Sequence, residues 1–277
     1  MFRPCLLLYC LLLALPSQVD ASDNGAIAEL LAEVKGADAD LQRSLLSGII
    51  QGLLGVRSAT PPPVWAGLAA ELTTNGNAAV RGSALHLAAL FGDAAATATL
   101  RGTLLDRSAP AVERRRALRA LLHVRAEGLQ ADLIALLDDR PLRSLVLRGL
   151  AERDHAGTAA AILAVYPTLE VVERRDALGT LASRASYARA LIAGVGSGVV
   201  PVRDLTASVL RQLGSLKDAD ADRFVAEQHA GPDQDPLAEV ARLTALLTPA
   251  VLGAGDRARG KLLYERTCAQ CHALWNA

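Results

Sequence analysis

Of the 277 residues, the side chains best placed for chemistry lie together as Cys268-Ala269-Gln270-Cys271-His272. Two thiols three positions apart on a helical turn can reach the two vinyl groups of one porphyrin as thioethers. The next residue, His272, then points its imidazole at the iron as the proximal axial ligand. Cys-x-x-Cys-His is the attachment signature of haem c. The sequence therefore carries an expectation of a covalent cofactor held by Cys268 and Cys271, with His272 on the iron.

Three other readings compete for these residues. A redox dithiol would use Cys-x-x-Cys, but it calls for a thioredoxin-like setting of strands. A structural zinc site needs four ligands, and no second Cys or His pair stands near this one in sequence. Chance would have to place the only two cysteines outside the leader at this spacing with His adjoining.

The other two cysteines, Cys5 and Cys10, fall in a leader-like segment. Arg3 supplies a positive start, Cys5 to Leu15 is apolar, and Val19-Asp20-Ala21 offers small residues for cleavage. Such a segment reads as a signal peptide over residues 1–21, with export to the periplasm. Its apolar run is well short of the roughly 20 residues that a membrane-spanning helix needs. With Cys5 and Cys10 removed, no disulfide framework is available and stability must come from packing.

The elements that would position the motif are helical. Apolar residues make up 51% of the chain and aromatics only 3%, with Ala and Leu dominant, so an all-α fold is expected. Formal charge is zero, from 29 basic and 29 acidic residues. That balance gives no global field for nucleic acid, and a charge-steered partner must meet a local patch.

From about residue 26 to 247, segments of helical periodicity alternate with Gly, Pro, Asn and Asp. One phrase recurs, an Arg followed three and four residues later by small or apolar residues. It begins at Arg81, Arg114, Arg143, Arg174 and Arg203, giving spacings of 33, 29, 31 and 29. A near-constant period with two helices per unit predicts an α-solenoid. In the unit headed by Arg114, residues Ala117, Leu118, Leu121 and Leu122 share the packing face, while Glu113, Arg115 and Arg119 are expected in water. Pro61-Pro62-Pro63 separates a first hairpin from the array, and Trp65 is expected to plug the seam. The resulting division is 1–21 leader, 22–60 hairpin, 61–249 repeats and 250–277 tail.

Within the repeats, Glu113-Arg114-Arg115-Arg116 with Arg119 reads either as a docking patch for an acidic partner or as the charged outer face of any solenoid helix. Asp218, Asp220 and Asp222 alternate as in a calcium loop, but Arg223 and His229 stand where glycine and a bidentate glutamate belong. His86, His123, His155 and His229 are scattered singly, without local metal-ligand spacing, and are expected to be structural. No catalytic residues emerge, which favours an electron carrier over an enzyme.

The middle of the chain resembles HEAT repeats, although its units are shorter than the roughly 40 to 47 residues usual for them. Gly260, an apolar pair and Tyr264, four residues before Cys268, resemble the first helix of class I cytochromes c. The helical array followed by Gly-x-x-Leu-Tyr-x-x-x-Cys-x-x-Cys-His thus resembles bacterial HEAT-repeat proteins that end in a haem-binding cytochrome c domain. Leu181-Ala182-Ser183-Arg184-Ala185-Ser186-Tyr187-Ala188 and Pro63-Val64-Trp65 fit the same group. In that group a β-propeller similar to sugar dehydrogenases often precedes these parts; here the leader runs straight into helices. The chain stops five residues after His272 and Met1 is its only methionine, so the tail reads as a truncated cytochrome domain without a His/Met iron pair.

The resemblance implies electron transfer with a redox partner protein, and protein binding through the solenoid surface is also open to it. Two other functions stay open: an interaction scaffold whose haem site is incomplete and non-functional, and an accessory subunit of a periplasmic dehydrogenase. Neither nucleic-acid binding nor a transmembrane segment in the mature chain is expected.

Overall fold

A computed structural model describes residues 21–229 and 236–268. Among them are sixteen α-helices and no strand. The chain divides into two compact units, one ending at Ala221 and the other beginning at Asp222. The expected boundary between repeats and tail, at 249/250, falls inside the second unit. The expected leader, apart from Ala21, lies outside the described residues.

The first unit is a stack of helix pairs: α1 (Ala21–Val34) and α2 (Ala39–Gly52), α3 (Pro63–Thr73) and α4 (Ala78–Leu90), α5 (Ala94–Leu105) and α6 (Ala111–His123). It continues with α7 (Leu129–Ala135) and α8 (Arg143–Gly149), α9 (Thr158–Val165) and α10 (Val171–Leu181), α11 (Ala185–Gly196) and α12 (Ala207–Gly214). The helix α13 (Ala219–His229) contains the division between the two units. Each of α2, α4, α6 and α8 packs on the next even-numbered helix, so α2, α4, α6, α8 and α10 form one layer. The odd-numbered helices α1 and α3, and α9 and α11, pack in the same way. This solenoid-like, all-α architecture agrees with the reading from periodicity.

Local chemistry sets the helix ends. Asp38, Asn77 and Asp93 each accept hydrogen bonds from two backbone N–H groups in the first turn of α2, α4 and α5, satisfying donors that a helix cannot pair internally. Between α4 and α5, Gly92 takes φ of +85°, and the N–H groups of Gly92 and Asp93 bond back to Ala89 and Ala88. Three residues, Phe91-Gly92-Asp93, thereby end one helix and start the next. Where α6 and α8 meet, a Cβ on Gly149 would stand 2.8 Å from Leu122 Cδ2, so a side chain there would displace the neighbour.

The core is mainly Leu and Ala, including fully buried Leu87, Leu90, Leu104, Leu118, Leu121 and Leu147. Trp65 is buried and meets Phe91 edge-on at 5.2 Å between ring centroids, closing the seam after the Pro run.

The recurrent arginine is the principal polar tie between units. Arg114 Nε donates to the Leu104 carbonyl at 2.9 Å, and its Nη2 meets Asp139 at 2.5 Å. Arg143 donates to the Leu137 carbonyl at 2.7 Å and reaches Glu173 at 3.4 Å. Arg174 repeats the pattern with Leu169 at 3.0 Å and Asp204 at 3.3 Å, and Arg81 does so with Asn75 at 2.8 Å and Glu113 at 3.5 Å. Each guanidinium thus pins the segment that leads into its own helix, for Arg114 the last turn of α5, and grips an acid from the next unit.

Two expectations change here. Glu113 is not a free solvent residue, because Arg81 holds it. Arg203 does not head a helix: it is exposed in the 3-10 turn Val202–Asp204, and its neighbour Asp204 supplies the contact to Arg174. Asp204 also accepts from the buried Tyr166 hydroxyl at 3.0 Å. Burial, then that bond, raises the Tyr166 pKa well above the ordinary phenol value.

The second unit contains α14 (Pro236–Leu246), α15 (Pro249–Gly253) and α16 (Arg257–Thr267). These helices carry solvent-exposed apolar side chains, among them Val240, Leu243, Val251, Leu252, Leu262 and Leu263. Among the described residues no helix is long and apolar enough to cross a membrane.

Candidate functional site

Of the residues expected to hold haem, only Cys268 lies within the described part; Cys271 and His272 lie outside it. Asp256 starts the supporting helix by accepting from the Arg259 N–H at 3.0 Å. Lys261 and Glu265, one turn apart, pair at 3.7 Å on its surface. Cys268 ends the helix, its backbone N–H bonded to the Tyr264 carbonyl at 2.8 Å. The thiol is free and exposed, and among the described residues the Thr267 hydroxyl lies 3.4 Å from it.

Positions 260, 264 and 268 are spaced four apart and fall on one side of α16. A Cβ built on Gly260 would meet nothing within 4 Å, Tyr264 is half-buried, and Leu262 and Leu263 are 60% and 54% exposed. The thiol therefore stands at the end of a helix with uncovered apolar surface. Such a surface suits a large apolar ligand better than a small hydrated ion.

A second constellation lies in the first unit and was not legible as a cluster. His86 on α4 and His123 on α6, far apart in sequence, bring Nε2 and Nδ1 to 2.9 Å. Their separate placement in sequence suggested isolated structural histidines, and packing of adjacent units overturns that isolation. The His123 Nε2 is 3.1 Å from the Leu53 carbonyl. A consistent assignment has His123 Nε2–H donating to Leu53, which leaves Nδ1 to accept from His86 Nε2–H. Both nitrogens of His123 and Nε2 of His86 are then satisfied. Burial, reinforced by His123, lowers the His86 pKa from 6.5 to about 4, so His86 is neutral at pH 7.

The pair sits in a groove of about 460 Å³ spanning α2, α4 and α6, and Arg116 and Arg119 line the same groove. Glu152 also lines it. Desolvation by the surrounding walls raises its pKa, opposed by Arg125, Arg153, Arg57 and His123. The sequence run Glu113–Arg116 is thus divided by the fold: Glu113 and Arg114 are ties between units, Arg115 is exposed, and Arg116 turns into the groove with Arg119.

Among the remaining sequence candidates, His155 and Asp218 have structural partners. His155 donates its backbone N–H to the Tyr187 hydroxyl at 2.9 Å. Asp218 accepts from Asp220 and Ala221 N–H groups and pairs with Arg189 at 2.7 Å, the arrangement of a helix cap. Among the described residues no group of three or more His, Cys, Asp or Glu side chains converges as a metal site. The chain matches no family model, no curated protein and no solved structure. Its class is therefore given by architecture alone, a helical-repeat protein of all-α fold.

Proposed function

We propose that this is an exported c-type haem protein that transfers electrons, with the haem held on the tail of a helical-repeat scaffold. The observation carrying the reading is the Cys268-x-x-Cys271-His272 spacing, with the Cys268 thiol free and exposed at the end of α16. Cys268 and Cys271 would hold the porphyrin as thioethers, and His272 would provide a nitrogen ligand to its iron. When bound, haem iron supplies one-electron redox chemistry. The exposed Leu262 and Leu263 offer apolar surface on the same helix. The leader-like residues 1–21 support export to the periplasm, where a redox partner protein would exchange electrons with the haem.

The test is expression of the full chain together with haem-attachment machinery, followed by denaturing electrophoresis and staining for haem peroxidase activity. Thioether-linked haem stays with the polypeptide, so a stained band at the chain's mass is expected. Cys268→Ala should weaken that band, and His272→Ala should change the ferrous absorption spectrum. A wild-type chain that retains no haem after denaturation would refute the reading.

A further inference from the structure

We propose that the groove across α2, α4 and α6 is a docking site for an extended acidic peptide segment of a partner protein, with Arg116 and Arg119 receiving its carboxylates. The inference stands on the first unit and is independent of the haem reading.

Charge is the first argument. The arginines that tie the units together are all paired, including Arg81, Arg114, Arg143 and Arg174. Arg116, half-buried, and Arg119, exposed, line the groove and make no hydrogen bond or ion pair among the described residues. They stand one helical turn apart, so their guanidinium groups can bind successive carboxylates or share one. The Arg116 stem is half-buried, its Cδ 3.5 Å from the place a Cβ on Gly82 would occupy. Packing against Gly82 limits the freedom that the side chain would lose on binding.

Shape and polarity select an extended chain. Facing residues on three adjacent helices line the depression, so it runs across the layer instead of closing over a small molecule. Ile50, Leu54 and Leu122 supply apolar wall, Leu54 being 62% exposed. Ser47, Gln51 and Ser83 also line it, and their side chains make no hydrogen bond among the described residues. A peptide can use both sets at once, placing side chains on the apolar wall and backbone groups on the hydroxyls and amide.

The other groups set direction. His86 and His123 are engaged with each other and with Leu53, so the arginines carry the attraction. Glu152 also lines the groove and repels a carboxylate placed beside it. Arg57, Arg125 and Arg153 act on Glu152 and temper that repulsion.

The experiment measures fluorescence anisotropy of a fluorescein-labelled peptide of alternating Glu and Leu, eight residues long, titrated with the full chain at low salt. A matching peptide of alternating Lys and Leu is the reference. Binding of the acidic peptide at least tenfold tighter than the basic one is expected, weakening as salt rises. R116Q/R119Q, which keeps side-chain bulk, should weaken acidic-peptide binding tenfold or more. R175Q/R203Q makes the same charge change at exposed sites elsewhere and should stay within twofold of wild type. Equal weakening by both double variants would overturn the proposal in favour of non-specific charge attraction, as would unchanged binding in R116Q/R119Q. Equal binding of the two peptides by wild type would also overturn it. Helical circular dichroism and urea unfolding matching wild type confirm that each variant is folded.

Discussion

Asp139→Ala should be among the most damaging single changes in the array. Arg114 and Asp139 are both 5% exposed and meet at 2.5 Å. Removing the acid leaves a buried guanidinium that keeps its bond to the Leu104 carbonyl but has lost its counter-charge. Breaking one partner of a buried pair costs about 3–5 kcal/mol. Asp138→Ala, one position earlier, supplies the contrast. Asp138 pairs with Arg107 at 2.8 Å, but the two side chains are 63% and 59% exposed, and water can replace that contact. Urea unfolding followed by circular dichroism should separate the two variants. Asp138→Ala should be indistinguishable from wild type, whereas Asp139→Ala should shift the midpoint strongly or split the transition at the joint between neighbouring units. The double variant R114M/D139L should recover most of the loss, because an apolar pair carries no buried charge. The reasoning is refuted if Asp139→Ala costs less than about 1 kcal/mol, the scale of an exposed pair, or if the double variant's loss equals the sum of the single losses.

Two further outcomes follow from buried polar groups. His86 has its pKa lowered from 6.5 to about 4, so the unfolded chain binds the extra proton between those values. Stability should be fully present above pH 6.5, fall as the pH drops toward 4 by at most about 3 kcal/mol, and then level off; His86→Leu should flatten that slope in urea unfolding at stepped pH. Tyr187 is buried, donating to the Arg153 carbonyl at 3.0 Å and accepting from the His155 N–H at 2.9 Å. Tyr187→Phe strands both backbone groups and should cost about 1–3 kcal/mol by chemical unfolding, and an unchanged midpoint would mean that water substitutes for the hydroxyl.

Much of the first unit could be read from the chain because its signals are local. Asn77, Asp93 and Gly92 announce helix ends within a few residues of where they act, and the Leu/Ala stripe of each helix repeats within two turns. The period of about thirty was legible through Arg81, Arg114, Arg143 and Arg174, since each serves the same joint. Their acids were not, because a partner such as Asp139 or Glu173 stands 25 to 30 residues away. The recurrence of Glu-Arg-Arg at 113–115 and 173–175 was the available clue. In that phrase, Glu accepts from the preceding unit while the first Arg reaches toward the following one. The His86–His123 contact left no local trace: His86 lies five residues after Arg81 and His123 nine after Arg114, so the offset of one helical turn has meaning only once α4 and α6 are side by side. At the tail, the motif could be read through residue spacing, but only its Cys268 lies among the described residues.

The same layer of helices carries two different uses of arginine, and burial decides between them. Arg114 and Arg143 are buried, so each must have an acid and a carbonyl, and those requirements fix how one unit meets the next. Arg116 and Arg119, two and five residues beyond Arg114 on the same helix, look across the opposite face, where they are half-buried and exposed and no internal acid is required. A change at the first set therefore alters the joint and hence the placement of every helix beyond it. A change at the second set alters only what the groove attracts. Because Glu113-Arg114-Arg115-Arg116 mixes both roles in four consecutive residues, deleting the whole cluster would confound stability with binding. Substituting Arg116 and Arg119 while keeping Glu113 and Arg114 separates the two, since the joints on either side then keep the Arg81–Glu113 and Arg114–Asp139 pairs.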